Sequence, residues 1–347
     1  MLHRDIKSSL RGVVSSVYYA TGHFLSLFKG RVLILMYHRV LPSAEVVQSY
    51  VQAGMYVQND IFERQLRFLK RHFRILRFSE LLDIWEGKGL DRDTRYCVLT
   101  FDDGWRDNYL YAYPALKEHR VPATLFLPTS LVGSGYWLWS DRMGYLLKAL
   151  FDTEGEREGR RLLRSLLAES GRGKLTAPDS AGETIDSVIE QCKALPEGEI
   201  ESLIGTLRAK TGAEIPGKRR FLTWKEAREM SEGGISFGAH SCTHRILTAL
   251  SRDEVEQEAA DSFEVLRREG VDSVPVFCYP DGQSTPAIER QIQAAGYRAA
   301  VSTTFGFEGA IPQNRFRLRR IGIHNDISRT APLLVGRMAG IHRVFTR

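Results

Sequence analysis

The chain has 347 residues, 43% of them hydrophobic and 10% aromatic, which is ample for a globular core. This excludes a disordered or low-complexity protein, and the length fits either two domains or one α/β barrel. A net charge of +6, spread along the chain with no nucleic-acid-binding motif, argues against a nucleic-acid protein and is compatible with anionic lipid headgroups.

The opening stretch, "MLHRDIKSSLRGVVSSVYYATGHFLSLFKG", is basic and partly apolar. No apolar run in it reaches bilayer-spanning length. It also lacks the ordered charged, apolar and small-residue regions of a signal peptide. Residues 1–30 read as an N-terminal helical segment. It either lies in a membrane interface over residues 5–28, with Arg4, Lys7, Arg11 and Lys29, or packs on the rest of the chain.

Residues 31–347 read as the main domain, where strand and helix signals alternate. "RVLILMYH" (31–38) is a continuous apolar run, as buried parallel strands are. Asp60 and Glu63 match a capping box ahead of a helix carrying Ile61, Phe62, Leu66, Leu69 and Phe73 on one face. Ser79 is a candidate cap for a short helix ending near Gly87. "YCVLTF" (96–101) is the next strand, Pro114 suits a helix start, and "ATLFLP" (123–128) is a third strand. From about 141 to 220 the chain is charge-rich and helical in period. It reads as a helical insertion without a core of its own.

Alternation then resumes. Thr223–Glu226 and Ser251–Glu254 are capping boxes, with "GISFGA" (234–239) between them. "VPVFCYP" (274–280), a helix opened by Thr285-Pro286, "YRAAVS" (297–302) and "FRLRRIGIH" (316–324) follow. Such alternation implies a parallel sheet with right-handed crossovers, and seven or eight units imply a closed or nearly closed barrel. Cys97, Cys192, Cys242 and Cys278 show no CxxC spacing and read as reduced thiols. Without a signal peptide, that gives a cytoplasmic expectation.

Two clusters carry chemistry. "FGAHSCTHRILTAL" sets His240 and His244 at i, i+4, a spacing that aims two imidazoles at one point if it lies on a helical turn. "VLTFDDGW" sets Asp102 beside Asp103 at the end of another strand. Both lie at C-terminal strand ends, the active-site face of α/β barrels. Two histidines and one carboxylate make a three-ligand metal set, and the second carboxylate is free to take a proton from water.

"TFDDG" followed by "HSxxH" resembles the signature of NodB-type polysaccharide deacetylases, carbohydrate esterase family 4. The likeness extends over roughly residues 31–137 and 221–326, through "LMYHRV", "VPATLFLPT" and "FCYPDG". It implies a distorted (β/α) barrel, one divalent metal, usually zinc, and hydrolysis of N-acetyl groups on amino sugars. By motif, Asp102 is the general base, and Asp103, His240 and His244 hold the metal. A backbone N–H near Asp281 helps hold the oxyanion.

Some positions depart from the family pattern. Cys278 stands where many members place an orienting arginine, and Asp281 stands where an aromatic often precedes the glycine. The segment "FCYPDG" resembles a subgroup with "FAYPYG". Arg320 matches a late arginine of that subgroup and is expected to orient Asp102. His324 resembles the histidine of the last motif, the general acid. His38, Trp105, Tyr279 and Asp281 are candidate substrate-side residues. His38 can equally be a packed strand-end histidine, and Trp105 can brace its loop instead of stacking on a sugar.

The expected function is therefore metal-dependent deacetylation of an N-acetylated glycan or lipid-linked saccharide, with peripheral membrane contact. A non-catalytic carbohydrate-binding barrel and an amidase acting on a non-sugar amide are the alternatives.

Overall fold

The computed structural model describes residues 2–48, 50–87, 89–169 and 181–344. They form two compact units. The first comprises residues 1–42, 53–134 and 220–347, and the second residues 43–52 and 135–219.

The first unit is a parallel barrel. Its strands are β1 (Val32–Tyr37), β2 (Arg39–Leu41), β3 (Tyr56–Gln58), β4 (Arg74–Ile75), β5 (Tyr96–Phe101), β6 (Ala123–Leu127), β7 (Ile235–Ala239), β8 (Ser273–Cys278), β9 (Ala299–Phe305) and β10 (Leu318–Gly322). Seven of them run in the order β1-β10-β9-β8-β7-β6-β5, and β5 pairs back to β1 to close the ring. β4 pairs with β5 at Tyr96 and Cys97, below β6 at Thr100 and Phe101, so the two share one edge of β5. β2 and β3 form a separate parallel pair.

Strand alternation sorts the core into two layers. Cys97, Leu99 and Phe101 of β5 pack outward with the helices. Tyr96 and Val98 point inward with Val276, Cys278, Val301 and Leu318. The helix Phe78–Glu86 supplies Phe78, Leu81 and Leu82 to that inner cluster. Continuing the inward register past Val98 and Leu318 brings Thr100, Asp102 and Arg320 into the barrel.

Most caps are those legible in the sequence. Thr223, Ser251 and Thr285 accept the N–H of Glu226, Glu254 and Ile288 at the starts of three helices. Two differ. In the helix Asn59–His72, Asp60 and Glu63 do not close a box; they pair with Arg64 and Arg67 at i+4 (2.9 and 2.6 Å). Ser79 lies inside Phe78–Glu86, where Glu80 reaches back to the Arg77 N–H (2.8 Å). The N-terminal segment is two helices, Leu2–Ala20 and His23–Leu27, separated at Gly22 (φ 65°). Phe24 and Phe28 are buried against Phe68 and Phe73.

The second unit is helical, with Ser43–Gln48, Trp139–Glu169, Ala181–Cys192 and Glu197–Thr211. Gly155 (φ 74°) breaks the long helix. The expectation of an insertion without its own core is corrected here. Met143, Leu147, Leu163, Val188, Ile189 and Leu203 form a separate buried cluster. The charge-rich stretch masked the heptad-like apolar positions between its acids and bases.

One position tests the tightness of the barrel wall. A Cβ on Gly238, in β7, would sit 2.5 Å from the Phe126 ring and 2.7 Å from the Val276 carbonyl oxygen. Gly238→Ala should cost ~1–3 kcal/mol by overpacking and lower the thermal midpoint. An unchanged midpoint would contradict this packing.

Candidate active site

Adjacent carboxylates on a strand should point to opposite faces. Here they do not, because Asp103 leaves β5 with a left-handed backbone (φ 71°), followed by Gly104 (φ 67°). The reversal returns the Asp103 side chain to the barrel mouth beside Asp102. A Cβ at Gly104 would meet Leu127 Cδ2 at 2.7 Å, so the close approach as well as the turn needs glycine.

The two carboxylates are 2% and 3% exposed, and each has its own cationic or imidazole partners. Arg320 Nη1 and Nη2 donate to Asp102 Oδ1 and Oδ2, both at 2.7 Å. The other donors are also used. Nε binds the Ser302 carbonyl (2.9 Å), Nη1 binds Thr100 Oγ1 (3.2 Å) and Nη2 binds Cys278 Sγ (3.3 Å). All the guanidinium N–H groups are thus engaged, which fixes the fork in one orientation. Burial raises the Asp102 pKa, but the charge and hydrogen bonds of Arg320, then His38, hold it below the usual carboxylate range. Arg319 points outward and pairs with Glu308 (3.1 Å).

Asp103 Oδ1 faces His240 Nε2 at 3.2 Å and His244 Nε2 at 3.1 Å. Burial pushes its pKa up; the hydrogen bonds from His240 and His244, followed by the His244 charge, outweigh burial and hold it well below the usual range. His240 extends from β7, its N–H bonded to the Leu127 carbonyl (2.9 Å) and its Nδ1 bonded to the Cys278 carbonyl (2.8 Å). With Nδ1–H donated to that carbonyl, Nε2 faces Asp103 in either of two roles: protonated it donates to Oδ1, and deprotonated it offers its lone pair to a cation.

The histidine pair is not on a helical turn, which corrects the sequence reading. Residues 240–246 form a loop with left-handed Ser241 (φ 60°) and His244 (φ 64°). Ser241 Oγ accepts the His244 N–H (3.0 Å). Buried Glu258, from the helix Arg252–Arg268, accepts the N–H groups of Cys242 (2.7 Å) and Thr243 (3.0 Å). These bonds hold the two rings 4.8 Å apart and nearly perpendicular, at 81°. The sequence reading missed Glu258. Its signal was an acid at i+3 from Val255, on the face that buries Ala259 and Leu266.

The remaining candidates divide. His38 Nε2 lies 4.0 Å from Asp102 Oδ2, and its pKa is lowered by burial against the pull of Asp103 and Asp102. His324 follows β10, but among the described residues its ring is bonded to Asp326 and not to the carboxylate–imidazole cluster. Trp105 is 1% exposed, so it is not a sugar-stacking surface; its Nε1–H donates to Asp103 Oδ2 (2.9 Å). Tyr279 is also 1% exposed and spends its hydroxyl on the Phe316 carbonyl (2.9 Å), so it is a structural prop. Asp281, just past β8, has a left-handed backbone (φ 57°) and its carboxylate accepts from Gln283 (2.7 Å).

A family model described as polysaccharide deacetylase matches residues 89–167 and 184–300. The chain belongs to the polysaccharide deacetylase family. YxkH of Bacillus subtilis (strain 168), which carries a polysaccharide deacetylase name, is 21% identical over 236 residues. That match covers 68% of this chain and 54% of YxkH, so the chain spans about half the length of this curated relative. Among solved structures, Streptococcus pyogenes deacetylase PplD in complex with acetate aligns with a TM-score of 0.57 at 21% identity, over 89% of this chain and 99% of that one. IcaB from Ammonifex degensii aligns with a TM-score of 0.55 at 17% identity, over 89% and 97% of the two chains. At these identities the likeness shows the barrel fold.

Among the described residues of this family member, two groups of side chains have the composition of a metal site: Asp103–His240–His244 and Asp102–His240–Cys278. The first fits a cation. Its carboxylate oxygen and two imidazole nitrogens face one another with no fixed positive charge bonded to them. The second does not, because the Arg320 guanidinium already occupies both Asp102 oxygens and Cys278 Sγ. His240→Ala and His244→Ala should each strip the divalent ion, read as metal per chain by elemental analysis. Full occupancy in both variants would contradict this assignment.

Proposed function

We propose that this chain removes N-acetyl groups from an amino-sugar-containing glycan, or from a lipid-linked saccharide, with one divalent metal, zinc, held by Asp103, His240 and His244. The observation that carries this reading is the division between the two aspartates. One converges with two imidazoles, and the other is held away from them by a bidentate arginine. A bound divalent ion supplies an electrophile for the amide carbonyl and acidifies water beside it.

The chain's own residues supply the rest. Asp102 accepts a proton from the attacking water as its oxygen adds to the amide carbon. Arg320 keeps Asp102 ionised and in one rotamer. His38, with Nε2 4.0 Å from Asp102 and outside the metal set, is placed to pass a proton on toward the departing amine, and this proximity favours it over His324 as the acid. A backbone N–H near Asp281, at the end of β8, is the proposed further contact to the oxyanion. Acetate and a free amine are the products. A non-catalytic sugar binder has no use for a buried carboxylate–arginine pair beside a separate carboxylate–imidazole set.

A cytoplasmic location with peripheral membrane contact belongs to the same proposal. Two features support it: Cys97, Cys242 and Cys278 carry free thiols, and the first helix exposes Leu10, Val13, Val14 and Val17 along one side. Among the described residues no helix is long and apolar enough to cross a membrane.

The test is acetate release from a panel of N-acetylated oligosaccharides and non-sugar acetamides, with and without zinc and chelator. We expect metal-dependent release from the sugars. Release from non-sugar amides alone would shift the reading to an amidase, and binding without release would shift it to a sugar-binding barrel. Arg320→Ala should lower turnover by about 10²-fold or more, since it leaves the base without its partner. Arg320→Lys should rescue poorly, because an ammonium lacks the planar fork. Arg319→Ala should be mild. Equal effects of the two arginine deletions would remove the orienting role.

A further inference from the structure

We infer that Trp105 is a positioning residue that makes Asp103 a one-oxygen metal ligand. The inference rests on the metal site proposed above and concerns a residue outside the ligand set. The two oxygens of Asp103 are not equivalent. Oδ1 faces both imidazole Nε2 atoms, at 3.1 and 3.2 Å. Oδ2 accepts the Trp105 indole N–H at 2.9 Å.

An indole nitrogen is a donor only, and this one is buried. If both Asp103 oxygens turned to a cation, the carboxylate would rotate out of the alignment in which Oδ2 now meets the indole, 2.9 Å from Nε1. The N–H would then be buried without an acceptor, which is costly. The bond therefore biases Asp103 toward coordination through Oδ1 alone. The second position that a bidentate carboxylate would take stays open for water or substrate.

The bias needs a ring that cannot yield, and the structure provides one. Phe221 stacks on Trp105 with centroids 5.3 Å apart and planes 14° apart. The backbones of the two are also tied, with Leu222 N–H bonded to the Gly104 carbonyl (3.0 Å) and Arg106 N–H to the Arg220 carbonyl (2.7 Å). The Arg39 guanidinium lies 4.7 Å from the ring centroid. Arg39 is itself fixed by Asp107, through Nε to Oδ2 at 2.7 Å. Asp107 also accepts the Val40 N–H (3.3 Å). The ring is thus clamped by β2, which follows His38 directly, and by the strand-like segment at Phe221.

The experiment uses the full chain and Trp105→Phe, which keeps an aromatic stack and deletes the donor. Affinity is read by chelator competition with zinc, and coordination by the visible absorption of the cobalt(II)-loaded protein. We expect Trp105→Phe to bind zinc about 10–100-fold more weakly, as loss of a bond to a ligand does. We also expect its cobalt bands to weaken as the coordination number rises. If Trp105→Phe does not fold, a benzothienylalanine at position 105 replaces the N–H by sulfur within the same ring shape, and the same two readings apply. Unchanged affinity overturns the inference. Weakened affinity with unchanged cobalt bands overturns the one-oxygen assignment. If wild-type protein holds no ion, the metal reading itself falls and takes this inference with it; retention in wild type with loss in His240→Ala separates the two failures.

Discussion

Two adjacent carboxylates buried in one site repel each other and are poorly solvated, so each needs its own countercharge. That constraint shapes the mouth of this barrel. Asp102 has a guanidinium with every donor engaged, and Asp103 has two imidazoles. Neither partner could serve both. A bidentate fork is used up by one carboxylate, and the imidazoles approach only Oδ1 of the other. The left-handed turn at Asp103 and Gly104 makes the separation possible, because an extended chain would have sent one of the two side chains out among the helices.

The surrounding groups stabilise that division from several elements. β8 gives the Cys278 carbonyl to His240 and the Cys278 thiol to Arg320, so one residue touches both halves of the site. Glu258 ties down the loop that carries His244. Trp105 takes the free oxygen of Asp103. Each of these groups is buried or strand-borne, as a site held by rigid elements requires. The deacetylase chemistry proposed here asks for the same separation: one carboxylate that stays ionised and unligated, and one that does not.

Much of the fold was legible in the sequence because the barrel strands are continuous apolar runs. "YCVLTF" is β5 residue for residue. Caps with a hydroxyl and a glutamate three residues apart were legible for the same reason, since all their partners are local. The failures were of two kinds. Where local spacing was read as local structure, other bonds overrode it: His240 and His244 sit on a loop pinned by Glu258 from another element, and Asp60 and Glu63 pair with arginines one turn along their own helix. Where residue type was read as role, burial overrode it at Tyr279, and at Trp105 burial selected the loop-bracing alternative over sugar stacking. The Arg39–Asp107 pair and Glu258 carry no short-range pattern, because their partners are brought in by the fold.

The most direct test of the divided carboxylates is the metal content of Asp102→Asn and Asp103→Asn, purified in parallel and measured by elemental analysis. Both substitutions keep size and shape and remove one charge. The account predicts that Asp102→Asn retains one ion per chain while Asp103→Asn loses most of it. An empty Asp102→Asn beside a fully loaded Asp103→Asn would contradict it.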